Sequence, residues 1–129
     1  MPQDYQGQEK RRHKRYKVNL NVLYRSDNPL AVQLRNEENE RRATMADMSE
    51  GGMSIITNLK IAEGTDLYIR FLLVESEEES GIIDFVGKIR YNKMITSDSY
   101  RIGISFEELD KISRIEIHHF LKMLERKRD

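Results

Sequence analysis

Residues 18 to 24 alternate, with Val18, Leu20, Val22 and Tyr24 on one face and Asn19 and Asn21 on the other, which is the pattern of a half-buried strand. Short β-branched or aromatic stretches follow at 31–34, 43–48, 53–57, 67–74, 82–94 and 100–106, and Gly51-Gly52, Gly64 and Gly81 lie at or near the breaks between them. Such spacing predicts consecutive antiparallel strands without crossover helices. Seven stretches qualify, 31–34 being the weakest, and a small closed or nearly closed barrel is how so many short strands hide their edges. After Phe106 the period changes. Leu109, Ile112, Ile117, Phe120, Leu121, Met123 and Leu124 cluster on one side of a helical wheel, with only Ile115 clearly off the stripe, so an amphipathic helix is predicted over residues 108–126. Asp110 is placed to act as its N-cap or first-turn acid, and Lys122, Arg126, Lys127 and Arg128 sit toward the negative end of its dipole. Plugging one mouth of the barrel suits this helix better than a dimer interface does.

Composition narrows the function. At 129 residues the chain is sized for one domain, here a polar tail at 1–9 followed by a barrel domain at 10–129. Lys and Arg number 22 and so do Asp and Glu, so no net field draws the molecule to a nucleic-acid polymer or an anionic membrane, and any anion site must be local. The absence of cysteine excludes disulfides, thiolate zinc and a thiol nucleophile. No apolar run approaches the ~18 residues of a spanning helix, and Met1 leads into polar residues unlike a signal peptide, so a cytoplasmic protein with no membrane insertion is expected. The hydrophobic share is 38%, with Ile and Leu spread along the chain, enough for a packed core. The polar runs at 35–42 and 75–81 read as solvated loops.

Two short patterns remain. From Lys10 to Lys17 there are six Lys or Arg and no acid, and Arg11 and Arg15 form an R-x-x-x-R spacing just before the first strand. About thirty residues on, Asp47-Met48-Ser49-Glu50-Gly51-Gly52 forms D-x-S-x-x-G between two predicted strands. Alone, the first is a solvated basic tail and the second a hairpin turn. In this order, with Gly52-Met53-Ser54-Ile55 after the turn and Tyr100-Arg101-Ile102-Gly103-Ile104-Ser105-Phe106 near the end, they resemble the PilZ domain, a bacterial receptor module for the second messenger cyclic di-GMP. The resemblance runs from about Lys10 to the end of the chain. It implies a mainly β fold: a six-stranded antiparallel barrel with a C-terminal amphipathic helix and a flexible basic N-terminal arm. It also implies a ligand-switched receptor or adaptor, not an enzyme, with no cofactor or metal and with cyclic di-GMP as its ligand.

The residue chemistry fits that ligand. A guanidinium forks onto phosphate or onto guanine O6 and N7, and its flat face stacks on a purine. At full extension a spacing of four separates Arg11 and Arg15 by roughly 13 Å, a span suited to clasping a compact dinucleotide. Asp47 answers the opposite edge of guanine, where N1–H and N2–H₂ are donors. Ser49 can add a hydroxyl contact from the same strand face as Asp47, two residues on, and Gly52, with Gly51 sharing the task, permits either a turn with positive φ or close approach to the ligand. His13 and Lys14 can touch phosphate, and Arg12 supplies charge or a stacking surface. Lys10 stands where the family's arginine tends to accompany an intercalated ligand dimer, so one or two ligand molecules fit the resemblance. An arm of this charge should be disordered without its anion and fold across the barrel when the ligand arrives, altering the surface shown to a downstream protein.

Two rival readings bear on the structure. The first is a single-stranded nucleic-acid barrel of the OB type, with the arm on phosphates and Tyr24, Tyr68, Phe85 and Tyr91 as stacking platforms, against which stand zero net charge and 8% aromatics. The second is a PilZ-like protein adaptor without ligand. An enzyme is disfavoured because no nucleophile elbow or phosphate-cradling loop occurs, and the adjacent His118 and His119 point about 100° apart on a helix and chelate poorly. As to assembly, a monomer or weak homodimer is expected.

Overall fold

The computed structural model describes residues 14–26, 40–74 and 80–128. Within them lie β1 (Tyr16–Arg25), β2 (Arg41–Met48), β3 (Gly52–Thr57), β4 (Asp66–Val74), β5 (Ser80–Thr96), β6 (Ser99–Glu108) and the helix α1 (Lys111–Arg128). The six strands close into a barrel in the order β1-β2-β3-β6-β5-β4, and every neighbouring pair is antiparallel. Closure leaves no exposed edge, the outcome favoured for many short strands. The expected strand at 31–34 lies outside the described residues, as do Lys10, Arg11, Arg12 and His13. Two boundaries differ from the polar-run reading, since Arg41 and Arg42 open β2 and Ser80 and Gly81 open β5.

Alternation along each strand sends one set of side chains inward. Val22 and Tyr24 of β1, Met45 and Met48 of β2, Met53 and Ile55 of β3, and Ile102 and Ile104 of β6 are all buried in one core, together with Phe71 and Phe85. The Tyr24 hydroxyl is satisfied there by Thr57 Oγ1 at 2.7 Å. Tyr24 and Phe85 are therefore core residues, and the stacking role that the nucleic-acid reading gave them is corrected: neither ring reaches the surface.

The period-2 pattern breaks at two places that matter below. Met45 pairs with Ile55 and Asp47 with Ser54, so two steps along β2 match one along β3, and Ala46 is the extra residue of a bulge. On β5, Ile89 pairs with Ile104 and Tyr91 with Gly103, which makes Arg90 the extra residue of a second bulge. Each bulge follows a buried residue, Met45 or Ile89, and turns the residue two places on to the outer wall.

Helix α1 starts later than expected. Asp110 caps it: Ser113 N–H donates to Asp110 Oδ1 at 2.7 Å and Arg114 N–H to the Asp110 carbonyl at 3.0 Å. Ile117, Phe120 and Leu121 are buried in the barrel core, with Met123 and Leu124 packed against it, so the helix seals the mouth where β1 and β5 begin. Ile112 departs from the expected stripe and is 71% exposed. The buried arc begins at Ser113 and continues through Ile117, Phe120 and Leu121, and Ile112 lies about 100° round the helix from Ser113. Ile115 is exposed, as its position off the stripe predicts.

Candidate ligand-binding cleft

The bulge at Ala46 lifts Asp47 out of the core-facing series and onto the outer wall, opposite Lys17 of β1 on one side and Ser54 of β3 on the other. Arg15, one residue before β1, reaches the same point: its Nη1 lies 2.7 Å from Asp47 Oδ1. Arg101 of β6 approaches from the opposite side, with Nη2 at 2.6 Å from Oδ2. The carboxylate is thus held between two guanidiniums, one on each oxygen, and its side chain is only 13% exposed. Around it opens a cleft of about 620 Å³ lined by Arg15, Tyr16, Lys17, Asp47, Tyr91, Lys93 and Arg101. Among the described residues four cations face one acid there, so the cleft carries a local excess of positive charge on a molecule with no net charge.

Burial works to raise the pKa of Asp47, but the hydrogen bond from Arg101, the hydroxyl dipole of neighbouring Ser54 and the charges of Arg15 and Arg101 outweigh it and hold the carboxyl below its ordinary value. Ser54 Oγ itself is buried with no hydrogen-bond partner, so its effect is that of a nearby dipole without a formed bond. For Arg101 burial disfavours the charge, while the Asp47 carboxylate and the Tyr91 oxygen more than offset it and raise the pKa. The linkage sign follows for Asp47. Its folded pKa is depressed, so its stabilising contribution is full above the unfolded value of about 3.9 and is lost as pH falls through the folded value. Urea midpoints taken from pH 6 down to pH 2.5 should therefore fall more steeply for the wild type than for Asp47→Asn, and parallel curves would show that the carboxylate gives the fold nothing.

The remaining residues of D-x-S-x-x-G serve the turn. Ser49 lies beyond the end of β2, is buried, and its Oγ accepts from Gly51 N–H at 3.2 Å, while its own N–H donates to the Gly52 carbonyl at 2.8 Å. The expectation that it shares a strand face with Asp47 is corrected accordingly. Gly51 accepts at its carbonyl from Phe106 N–H at 3.0 Å. Neither Gly51 nor Gly52 has a positive φ, which among the described residues belongs to Gly64 alone. Gly52 is required for space: a Cβ there would collide with the Ile104 carbonyl oxygen and come within 3.1 Å of Ser105 Cα. The close approach at Gly52 is therefore made by the neighbouring strand. Glu50, in the same turn, meets His118 Nδ1 of α1 at 2.9 Å, and Tyr16, next to Arg15, donates to Glu125 of α1 at 3.0 Å.

One residue from each motif, Arg15 and Asp47, thus meets the other in an ion pair, while Arg11 lies outside the described residues. That reading did not assign Arg101, Lys17, Lys93 or Tyr91 to the ligand site. Arg101 stood in the quoted 100–106 stretch, but its partner lies 54 residues away and only the barrel register reveals it.

A family model described as PilZ domain matches residues 9–123. No curated protein sequence matches the chain. Among solved structures, the inhibitor of motility MotI/DgrA of Bacillus subtilis superposes with a TM-score of 0.72 at 19% identity, over 92% of this chain and 53% of that one. The PilZ domain of YcgR from Escherichia coli, solved with c-di-GMP, gives 0.63 at 16% identity over 91% of this chain and 92% of that one. The K. pneumonia MrkH–c-di-GMP complex gives 0.66 at 19% identity over 92% and 53%. The chain spans about half the length of MotI and MrkH, and likeness at these identities shows the shared fold.

Proposed function

The chain belongs to the PilZ domain family, and on that premise we propose that it is a receptor for cyclic di-GMP that passes the binding event to a downstream protein. The observation that carries this reading is the Arg15–Asp47 pair at the centre of a four-cation cleft. Cyclic di-GMP brings two phosphates for the cations and guanine edges for both partners of the pair. In the ligand-free state the pair satisfies itself. Ligand entry exchanges one charge-assisted bond for several: Asp47 turns an oxygen to N1–H and N2–H₂ of a guanine, and Arg15 forks onto phosphate or onto O6 and N7. Arg101, fixed in the β3–β6–β5 ladder, keeps the other Asp47 oxygen in place during the exchange. Arg11 completes the clasp, Lys10 and Arg12 add charge from the arm, His13 contacts phosphate, and Ser49, Gly51 and Gly52 act by shaping the turn that presents Asp47.

The same geometry argues for a receptor over an enzyme. Asp47, the one acid lining the cleft among the described residues, has both oxygens engaged and a lowered pKa, which makes it a poor proton donor or acceptor near neutrality. Among the described residues no group of three His, Asp or Glu could hold a metal, and no helix is long and apolar enough to cross a membrane. Both segments that grip the ligand are tied to α1, through Tyr16–Glu125 and Glu50–His118, so a shift at either would be felt by the helix. Titration calorimetry should give saturable, stoichiometric binding of cyclic di-GMP to the wild type and at least tenfold weaker binding to Arg15→Ala, which loses a charge-assisted contact of ~1.5–3 kcal/mol. No binding to the wild type, or binding only to single-stranded oligonucleotides with steep salt dependence, would sink the proposal.

A further inference from the structure

Following the ladder pairs outward from Asp47 gives a single row across the barrel wall: Lys17, Asp47, Ser54, Gly103 and Tyr91, on β1, β2, β3, β6 and β5 in turn. The row is framed by the two bulges. Ala46 turns Asp47 outward at one side and Arg90 turns Tyr91 outward at the other, and without the second bulge Tyr91 would share the inward face of Ile89. Between them stand two small residues. The Tyr91 ring lies down over this gap: a Cβ at Gly103 would fall on Cε2, with Cδ2 and Cζ at 2.5 and 2.6 Å. Those distances are those of a point above the ring plane, because an approach past the ring's edge would leave the two flanking carbons markedly farther away. One face of Tyr91 is therefore seated on the Gly103 backbone, and Ser54 beside it is fully buried although it belongs to the outer row. Tyr91 as a residue is still 37% exposed and lines the cleft, so the side of the ring turned away from Gly103 is the one available to the cleft. Arg101 borders it, with its guanidinium anchored on Asp47.

We infer that the face of Tyr91 turned away from Gly103 is the stacking platform for one guanine of the ligand, a specificity-determining surface built by the Arg90 bulge and the Gly103 seat; this rests on the reading of the cleft as a cyclic di-GMP site. A tyrosine pinned on a backbone loses little further freedom when a base settles on it, and the row carries that base's edge toward the Arg101–Asp47 pair. Cations alone would hold any compact anion. The ring makes the cleft select a planar base.

Three variants separate stacking from mere cover of the seat. Tyr91→Phe keeps the π-face and loses the hydroxyl, and it should bind cyclic di-GMP within about threefold of wild type if stacking is the contribution. Tyr91→Leu keeps apolar cover over Gly103 without a π-face, and it should weaken binding roughly tenfold or more with its thermal midpoint near that of wild type. Gly103→Ala lifts the ring from its seat and should weaken binding while Tyr91 itself is intact. Wild-type affinity in Tyr91→Leu, with wild type binding normally, overturns this inference and leaves the receptor reading standing. Failure of the wild type to bind overturns both.

Discussion

Asp47→Ala is expected to lower the affinity for cyclic di-GMP by a hundredfold or more while the barrel stays folded. Two effects add. The substitution removes the carboxylate that accepts from the donor edge of guanine, at ~1.5–3 kcal/mol for each of two charge-assisted bonds, or ~3–6 kcal/mol together. It also removes the anchor of Arg15 and Arg101, which then repel one another and lose the orientation in which they meet the ligand. The cost to the fold is smaller, since the Arg15 and Arg101 side chains are 28% and 36% exposed and water replaces the lost partner. Asp47→Asn should fall between, because its amide offers one acceptor and one donor to an edge that presents two donors. Calorimetry on both variants, with circular dichroism to confirm folding, decides the matter: alanine binding within threefold of wild type would remove Asp47 from the site.

What the sequence discloses, and what it hides, follows from the range of each interaction. Strand identity is local. Val18 to Tyr24 alternate, and all the described apolar stretches became strands because β-branched and aromatic side chains fit a half-buried pleat. The helix was legible for the same reason, through the spacing of Ile117, Phe120, Leu121 and Leu124. The resemblance then placed Arg15 and Asp47 in one site, which no periodicity could have done. Hidden were the two bulges. Met45 and Asp47 have the same parity, as do Ile89 and Tyr91, so a period of two sends each pair to one face. A single inserted residue reverses that assignment and leaves no local mark, since it exists only as a mismatch with the partner strand. Arg101 was hidden likewise: its role depends on β6 lying beside β3, a non-consecutive pairing.

Gly52→Ala tests how far a motif residue belongs to the fold and not to the ligand, and its largest effect should be on stability. Gly52 pairs with Ser105 at the start of β3, and the atom that a new Cβ would meet is the backbone carbonyl oxygen of Ile104 on β6. Backbone in a closed ladder cannot rotate aside as a side chain can, so β3 and β6 must splay where Met53 and Ile104 enter the core. Overpacking of this kind costs about 2–3 kcal/mol, which corresponds to a fall in Tm on the order of 10 °C for a domain of this size. The two hydrogen bonds that close the turn, from Ser49 N–H to the Gly52 carbonyl and from Phe106 N–H to that of Gly51, would be strained by the same displacement. Affinity for cyclic di-GMP, measured well below the lowered Tm, should then fall far less than in Asp47→Ala, because Gly52 acts on the ligand only through the position of the turn. An unchanged Tm with abolished binding would show the reverse, that the missing Cβ makes room for the ligand and the Ile104 carbonyl yields without cost.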